Sequence, residues 1–516
     1  MLLIELTAVV DGAGTTRTYY FADERFATEP GDTPANVAFS ERLLDPGWLS
    51  QTAFGDARTG GATTLAYGEM ICANGDGGLD AWLVGHGFDG QPATIRQGPT
   101  GGAYPADFPA IFAAACKSIR VDERQVVVSL RDRALMFEKA ILTEVFAGDN
   151  PTNSPPFGFE GTPDDIKGQV KPRLIGGRVR EIEPVCVDAG KQIYQLSTGA
   201  IAAVDGVWDG GAAYTFGADR AAREDLMAND PASGHYDTCL AEGYLRLGST
   251  PTSQLTADAT QGATSADRTA AAVIRALAIE AGVAPSDIDE AAFTALAAAN
   301  TAELGVWLND PGTTYAEVMD RFADTVGAWW CHAPEGAFRG GRLEAPSGVR
   351  ASADFEIAAH QVLSIERRPA RDGDIPIWRE TVRWGQLQTV QTSGVLGSVA
   401  EARRAYLAQE WRSAAAEDAD VRTMHVLAPA EVVETLFTSE ADAQAEADRL
   451  LALHSVHRDF FDVTVPASLL SANGVRIGDE AWLTFDRFGL DAGASLIVLG
   501  IKPALKDNTA LLTLWR

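Results

Sequence analysis

A strand-rich α+β fold built from several domains, with barrel-like β domains at both ends and a small three-helix unit between them, is what three observations predict. The chain is 516 residues long, beyond what one core supports, and about 150 residues per domain implies three or four units. Its 50 glycines and 24 prolines call for many turns between short strands. Helical spacing, by contrast, is concentrated between residues 265 and 330.

Residues 1–150 read as a β-rich first domain. Strand-like runs fall at 2–10, 18–21, 64–72 and 125–130, and one helix-capable segment, 108–118, interrupts them. The stretch GDNPTNSPPFGFEG, 148–161, has linker composition. A small β domain over 161–260 follows from short apolar runs at 185–187, 193–196, 201–204 and 244–247. In the helical domain, 265–345, Ile274, Leu277, Ala278 and Ala281 share a helix face that stops at Gly282. Ser286 with Asp289 has capping-box spacing for a second helix carrying Ile288, Ala292, Leu296 and Ala299. Thr314 with Glu317 opens a third carrying Val318, Met319, Phe322 and Val326. The C-terminal α+β domain, 348–516, starts with strands at 361–366 and 379–384. A helix capped by Ser398 and Glu401 and another over 439–454 follow. Alternating runs at 461–465, 481–485, 496–499 and 510–515 then predict a closing sheet or barrel, since closure removes exposed strand edges.

Lysine plus arginine total 42 against 71 aspartates and glutamates, a net charge of -29 that repels phosphate backbones and disfavours tight nucleic-acid binding. The N-terminal run lacks a basic region before its apolar residues and carries Glu5, so a cytoplasmic synthesis without leader is expected, and no apolar stretch is long enough to span a membrane. The five cysteines, 72, 116, 186, 239 and 331, are widely spaced and form neither a disulfide framework nor a CxxC pair.

Motifs for phosphate loops, zinc proteases, nucleophile elbows and dinucleotide binding are missing from the text. The partial constellations favour packing over chemistry. Cys331 and His332 in GAWWCHAPEG are adjacent and would face opposite ways in extended chain, and Trp329 and Trp330 fit the end of the third helix better than a sugar platform. His235, Asp237 and Cys239 share a face if extended, and His454 with His457 near Asp459 and Asp462 could reach a zinc ion, but a turn and a helix C-terminus explain them more simply. Asn74 to Asp80 (NGDGGLD) misses the calcium-loop pattern at Gly78 and Leu79 and reads as a turn. No catalytic, cofactor-binding or metal-ligating residue is expected, and no cofactor.

The segment 26–98, opening FATEPGDTPAN and continuing through NGDGGLD, resembles the start of proteins encoded in the tail modules of long-tailed phages and prophages. The stretches IKGQVKPRLIGGRVREIEPV (166–185) and HYDTCLAEGYLRLG (235–248) resemble the same family. RWGQLQTVQTSG, EADRLLALHS, IGDEAWLTFDRFGL and LIVLGIKPALKDNTALLTLWR are similar to the end of tail hub domains. The resemblance implies a hub-like fold and a structural, non-enzymatic role in the virion, at the tail tip or baseplate hub, capping the tube and forming part of the DNA-ejection channel. It implies a homotrimer, with neighbours such as a distal tail or tube protein, a tape measure and a central fibre, and genomic DNA only in passing. It brings no active residues. The chain's end at Trp515-Arg516 is expected to leave no room for a fused hydrolase or fibre. The alternatives are a receptor- or carbohydrate-binding tail module and a cell-wall or polysaccharide hydrolase.

Overall fold

The structure is a computed structural model describing residues 1–54, 63–131, 133–150, 158–162, 164–333, 336–369, 375–504 and 506–516. It is a strand-rich α+β architecture of several sheets with helices packed among them. Half of the predicted linker, residues 151–157, lies outside the described residues.

The first sheet has nine strands. Leu2–Val9 sits near its centre, flanked by Thr16–Ala22 and Pro92–Gln97, and Ala110–Val121 joins Pro92–Gln97 to Gln125–Arg131. Alternate residues enter its core, among them Ile4, Leu6, Cys72, Cys116, Val126 and Val128. The helix expected over 108–118 is instead this strand, Ala110–Val121. Its alanines favour a helix in isolation, but pairing on both edges and the burial of Phe112, Ala114 and Cys116 outweigh that preference.

The single strand read at 64–72 is two. Thr64–Tyr67 pairs with Leu49–Thr52, and after Gly68 the strand Glu69–Ala73 joins the first sheet. Gly68 makes the bend possible, because a Cβ there would lie 2.5 Å from the Trp48 ring.

The second β unit holds a four-stranded sheet around Leu255–Thr260 and a five-stranded sheet around Tyr244–Leu247. The strand expected at 201–204 begins later and runs Ala203–Asp209.

The three helices are Ala270–Ala281, Glu290–Ala299 and Tyr315–Val326. Gly282 ends the first at φ 121°. Thr314 and Glu317 form the predicted capping box on the third. The second departs from expectation. Asp289, not Ser286, is its N-cap, accepting from the Ala292 amide at 3.1 Å, while Pro285–Asp287 form a separate turn. Likewise Ser398 does not cap Glu401–Leu407, whose N-cap is Ala400. Proline at 285 pre-sets its own turn, which moves the cap to the next side chain able to accept. The helices do not enclose a core of their own. Phe322, Trp330 and Phe338 share one core with Val382, Ala414, Phe437 and Ala447 from the last third of the chain.

In that last third, Arg379–Trp384 is the centre of a three-stranded sheet between Arg412–Glu417 and Ala430–Glu434, braced by helix Glu440–His454 with its Ser439 cap. Ser364–Pro369, expected slightly earlier, is an edge of the closing sheet, where Asp459–Pro466, Thr509–Trp515 and Ala494–Ala504 pair in turn. Among the described residues neither terminal sheet closes into a barrel, since the outermost strands in each order do not pair. Edges are handled in two other ways. The outer strands of the first sheet are only two or three residues long, and the far half of Ala494–Ala504 takes a strand from the first domain, with Gly500 opposite Thr52 and Ile501 opposite Gln51.

Candidate functional site

Each side chain singled out in the sequence has a definite place. Cys331 and His332 lie on Ala328–His332 and do face opposite ways. Cys331 enters the core beneath the closing sheet, with the Gln51 side-chain amide donating to its sulfur at 3.0 Å. His332 stacks on Phe137, ring centres 5.9 Å apart, and meets Phe338 edge-on. Burial, reinforced by the charge of Arg133, pulls its imidazole down to about 4. Trp330 donates its indole N–H to Asp320 at 2.8 Å, and burial lifts that carboxyl to about 7. Trp329 packs so tightly that a Cβ at Gly341 would sit 2.4 Å from its ring.

Asp237 is buried, gripped by Arg220 and accepting from the Ala218 amide at 2.9 Å. Cys239 packs with Phe146, Val187 and Leu226, so His235, Asp237 and Cys239 are not gathered. His454 bonds Glu380 at 2.7 Å, whereas His457 turns to the ring of His425, 5.2 Å away. Asp459 and Asp462 pair with Arg367 and Arg368. In the NGDGGLD turn, Asn74 accepts from the Leu79 amide at 2.9 Å, and the Arg42 guanidinium grips Asp76, holding its carboxyl well below the usual range. A protein cation therefore sits where a calcium ion would be needed. Among the described residues no three His, Cys, Asp or Glu are placed to hold a metal ion, and no helix is long and apolar enough to cross a membrane.

Two features went unnoticed in the sequence. The first is a buried polar junction. Between strands Arg379–Trp384 and Arg412–Glu417 the chain makes a long excursion, residues 385–411, that lies across the second β unit like a strap. Leu387 bridges to Arg180, the Gln388 amide donates to Arg180 O at 3.0 Å, and Ser253 Oγ donates to Gly394 O at 2.5 Å. Beneath the strap Glu181 is fully buried with a φ of 51°, at an irregularity in the pairing of Arg178–Ile182. Its carboxylate accepts from Thr256 Oγ1 at 2.7 Å and is ion-paired with Arg403 of the strap. The Glu181 amide donates to Asp258 at 2.8 Å, which Arg178 also holds at 2.7 Å. Burial pushes the Glu181 carboxyl up, with Thr256 and Arg403 opposing. Both carboxylates are enclosed and saturated with donors, an arrangement that locks elements together and offers no room to a substrate. Glu181 in sequence is one charged residue in an alternating strand, and nothing local marks its partner 222 positions away.

The second is a cleft of about 340 Å³ between the first domain and the closing sheet. Trp48, Ile95, Phe112, Leu470, Arg476 and Ile501 are among the residues that line it. Lys502 stands 4.7 Å over the Trp48 ring.

No family model matches the chain, and no curated protein does. Among solved structures it is similar to the tail protein from Neisseria meningitidis MC58, at 10% identity over 100% of this chain and 96% of that one, TM-score 0.39. It is similar to the 43 kDa tail protein of prophage MuSo2 from Shewanella oneidensis, at 10% identity over 99% and 96%, TM-score 0.40. A chain in the virion of a native gene transfer agent particle matches at 16% identity over 68% of this chain and 85% of its own, TM-score 0.43. With all three scores below 0.5, no residue role passes from them to this chain. Its structural neighbours are tail proteins of bacterial and prophage origin and a gene-transfer-agent virion chain.

Proposed function

We propose that this chain is a structural component of a phage-type tail, placed at the tip as a baseplate hub, where it assembles as a trimeric ring, caps the tube and contributes to the DNA-ejection channel. The observation that carries the reading is the resemblance of 26–98, 166–185, 235–248 and the closing segments to tail-module proteins. The fold supports it in a specific way: a strand of the first domain is built into the closing sheet, and a strap from the last third is locked onto the second β unit, so the units are tied as a scaffold needs. The proposed division is 1–150, 161–260, 265–345 and 348–516, with the helices of 265–345 sharing their core with the last unit. The role is non-enzymatic, because the side chains that could have served as nucleophile, acid or ligand are engaged in packing and ion pairs. Neighbours would be a distal tail or tube protein, a tape measure and a central fibre. A reconstruction of the source particle tests this, with three copies in a ring at the tip expected. Finding one or six copies there, or the chain elsewhere, rejects it. A carbohydrate-binding reading rests on Trp48, 42% exposed at the cleft and the one exposed tryptophan among the described residues; Trp329 and Trp330 are buried.

A further inference from the structure

Where the strap leaves its sheet, stretches far apart in sequence meet around a small pocket of about 20 Å³. Arg178 and Arg180 come from strand Arg178–Ile182, Arg321 from helix Tyr315–Val326, Gln386 and Gln388 from the strap, and Thr435 from the link into helix Glu440–His454. Among the described residues no aspartate or glutamate lines it. In a chain with 71 acidic residues against 42 lysines and arginines, a hollow with three guanidinium groups and no carboxylate is the reverse of the average surface.

Two of the three arginines are partly engaged. Arg178 donates from Nε and Nη2 to Asp258 at 3.1 and 2.7 Å, and Arg180 donates from Nη2 to the Thr438 carbonyl at 2.8 Å. Arg321 has no partner among the described residues. Helix spacing would give it Glu317, one turn back, but that carboxylate accepts from the Thr314 amide in the capping box at 2.9 Å. Arg321 is exposed at the pocket, yet the protein around it removes enough water to pull its pKa below the ordinary value, and no carboxylate opposes that loss. A charge placed so is unfavourable for the fold alone and favourable for a ligand of opposite sign.

The size of the pocket limits that ligand. One water needs about 10–15 Å³ of such space, so only the tip of a molecule enters. A guanidinium presents paired N–H groups that match the two oxygens of a carboxylate. We infer that this pocket is a carboxylate-binding site, in which Arg321 takes the carboxylate through its unpaired guanidinium while Arg178 and Arg180 add positive charge beside it. The carboxylate comes either from a free small acid or from an acidic side chain on a second copy of this chain, which carries 71 of them.

Binding of isotope-labelled formate to the full chain, followed by the broadening of its resonance, tests the site. The parent is expected to bind, Arg321→Gln to bind about tenfold more weakly or worse, and Arg350→Gln, at an exposed arginine elsewhere that pairs with Glu356, to bind like the parent. In chloride the melting temperature of Arg321→Gln should equal or exceed the parent's, because a charge without a partner has been removed. Formate bound equally by the parent and Arg321→Gln, or not bound by the parent, overturns the inference. So does a lower melting temperature in chloride, which would make Arg321 a structural residue. Sedimentation at equal ionic strength separates the two sources: self-association that formate weakens and chloride does not assigns the carboxylate to a second copy, and self-association indifferent to formate assigns it to a free acid. Neither result depends on the ring proposed above.

Discussion

At Glu181 a single residue carries two costs at once. Its positive φ is a conformation that non-glycine residues adopt only where the surroundings enforce it, and its carboxylate is removed from water. Arg403, stacked 4.5 Å over Trp208, offsets the second cost. Arg403→Ala is therefore expected to destabilise the fold by about 3–5 kcal/mol in urea melts, the loss typical of a buried charge left without its partner, and adding Glu181→Gln should recover part of it. A loss no larger than a surface pair's would show the junction to be weak. Asp320 and His332, on either side of Phe137's neighbourhood, respond to pH with opposite signs. Asp320 is raised from 3.8 to about 7, so the folded chain keeps a proton that the unfolded chain releases. Its contribution to stability is complete below pH 3.8 and is lost as pH rises through 7. His332 is lowered from 6.5 to about 4, so its contribution is present above pH 6.5 and is lost as pH falls through 4. Asp320→Asn should thus remove a decline in stability between pH 4 and 7, measured as unfolding midpoint against pH. An unchanged profile would count against the buried carboxyl.

Helix starts show how local chemistry settles an element's boundary. Thr314 and Asp289 each accept from a backbone amide in the first turn of their helix, while Ser286 bonds only its neighbour Asp287. Thr314→Ala and Asp289→Ala are each expected to cost about 1 kcal/mol, and Ser286→Ala close to nothing, in denaturant titrations. Equal effects at 286 and 289 would place the cap where the spacing alone had put it. The serine at 286 was a false signal because Pro285 already governs the turn, and spacing cannot reveal which of two candidates has the right backbone angle. The strand Ala110–Val121 teaches the same point with larger consequences. Its composition favours a helix, and only the strands on either side, 92–97 and 125–131, turn it into a sheet member.

Across the whole molecule, the excess of carboxylates is the property with the clearest consequence for a tail channel. A surface facing DNA that is neutral to acidic keeps the double helix centred and mobile, while each lysine or arginine contact with phosphate adds salt-dependent binding. The purified protein is expected to leave duplex DNA unretarded at physiological salt, and the lumen of the proposed ring to lack a continuous basic lining. Tight retention that weakens steeply as salt rises would refute this.

The amino-acid sequence by itself determined what depends on near neighbours. Alternation along Asp459–Pro466 and Thr509–Trp515 marked their buried faces, the Thr314 box and Gly282 bounded helices, and the charge excess defined the surface. It also left the candidate chemistry unconvincing: Cys331 and His332 facing apart follows from strand geometry alone. Tertiary structure decided what depends on distant partners. Gly68 splits one apolar run between two sheets because Trp48 leaves no room for a side chain, and the Glu181–Arg403 lock joins residues 222 apart. The cleft lined by Trp48, Phe112, Leu470 and Ile501 exists only where the first domain meets the last. None of these has a local signature, because the energy that fixes them comes from surfaces that become neighbours only when the chain has folded.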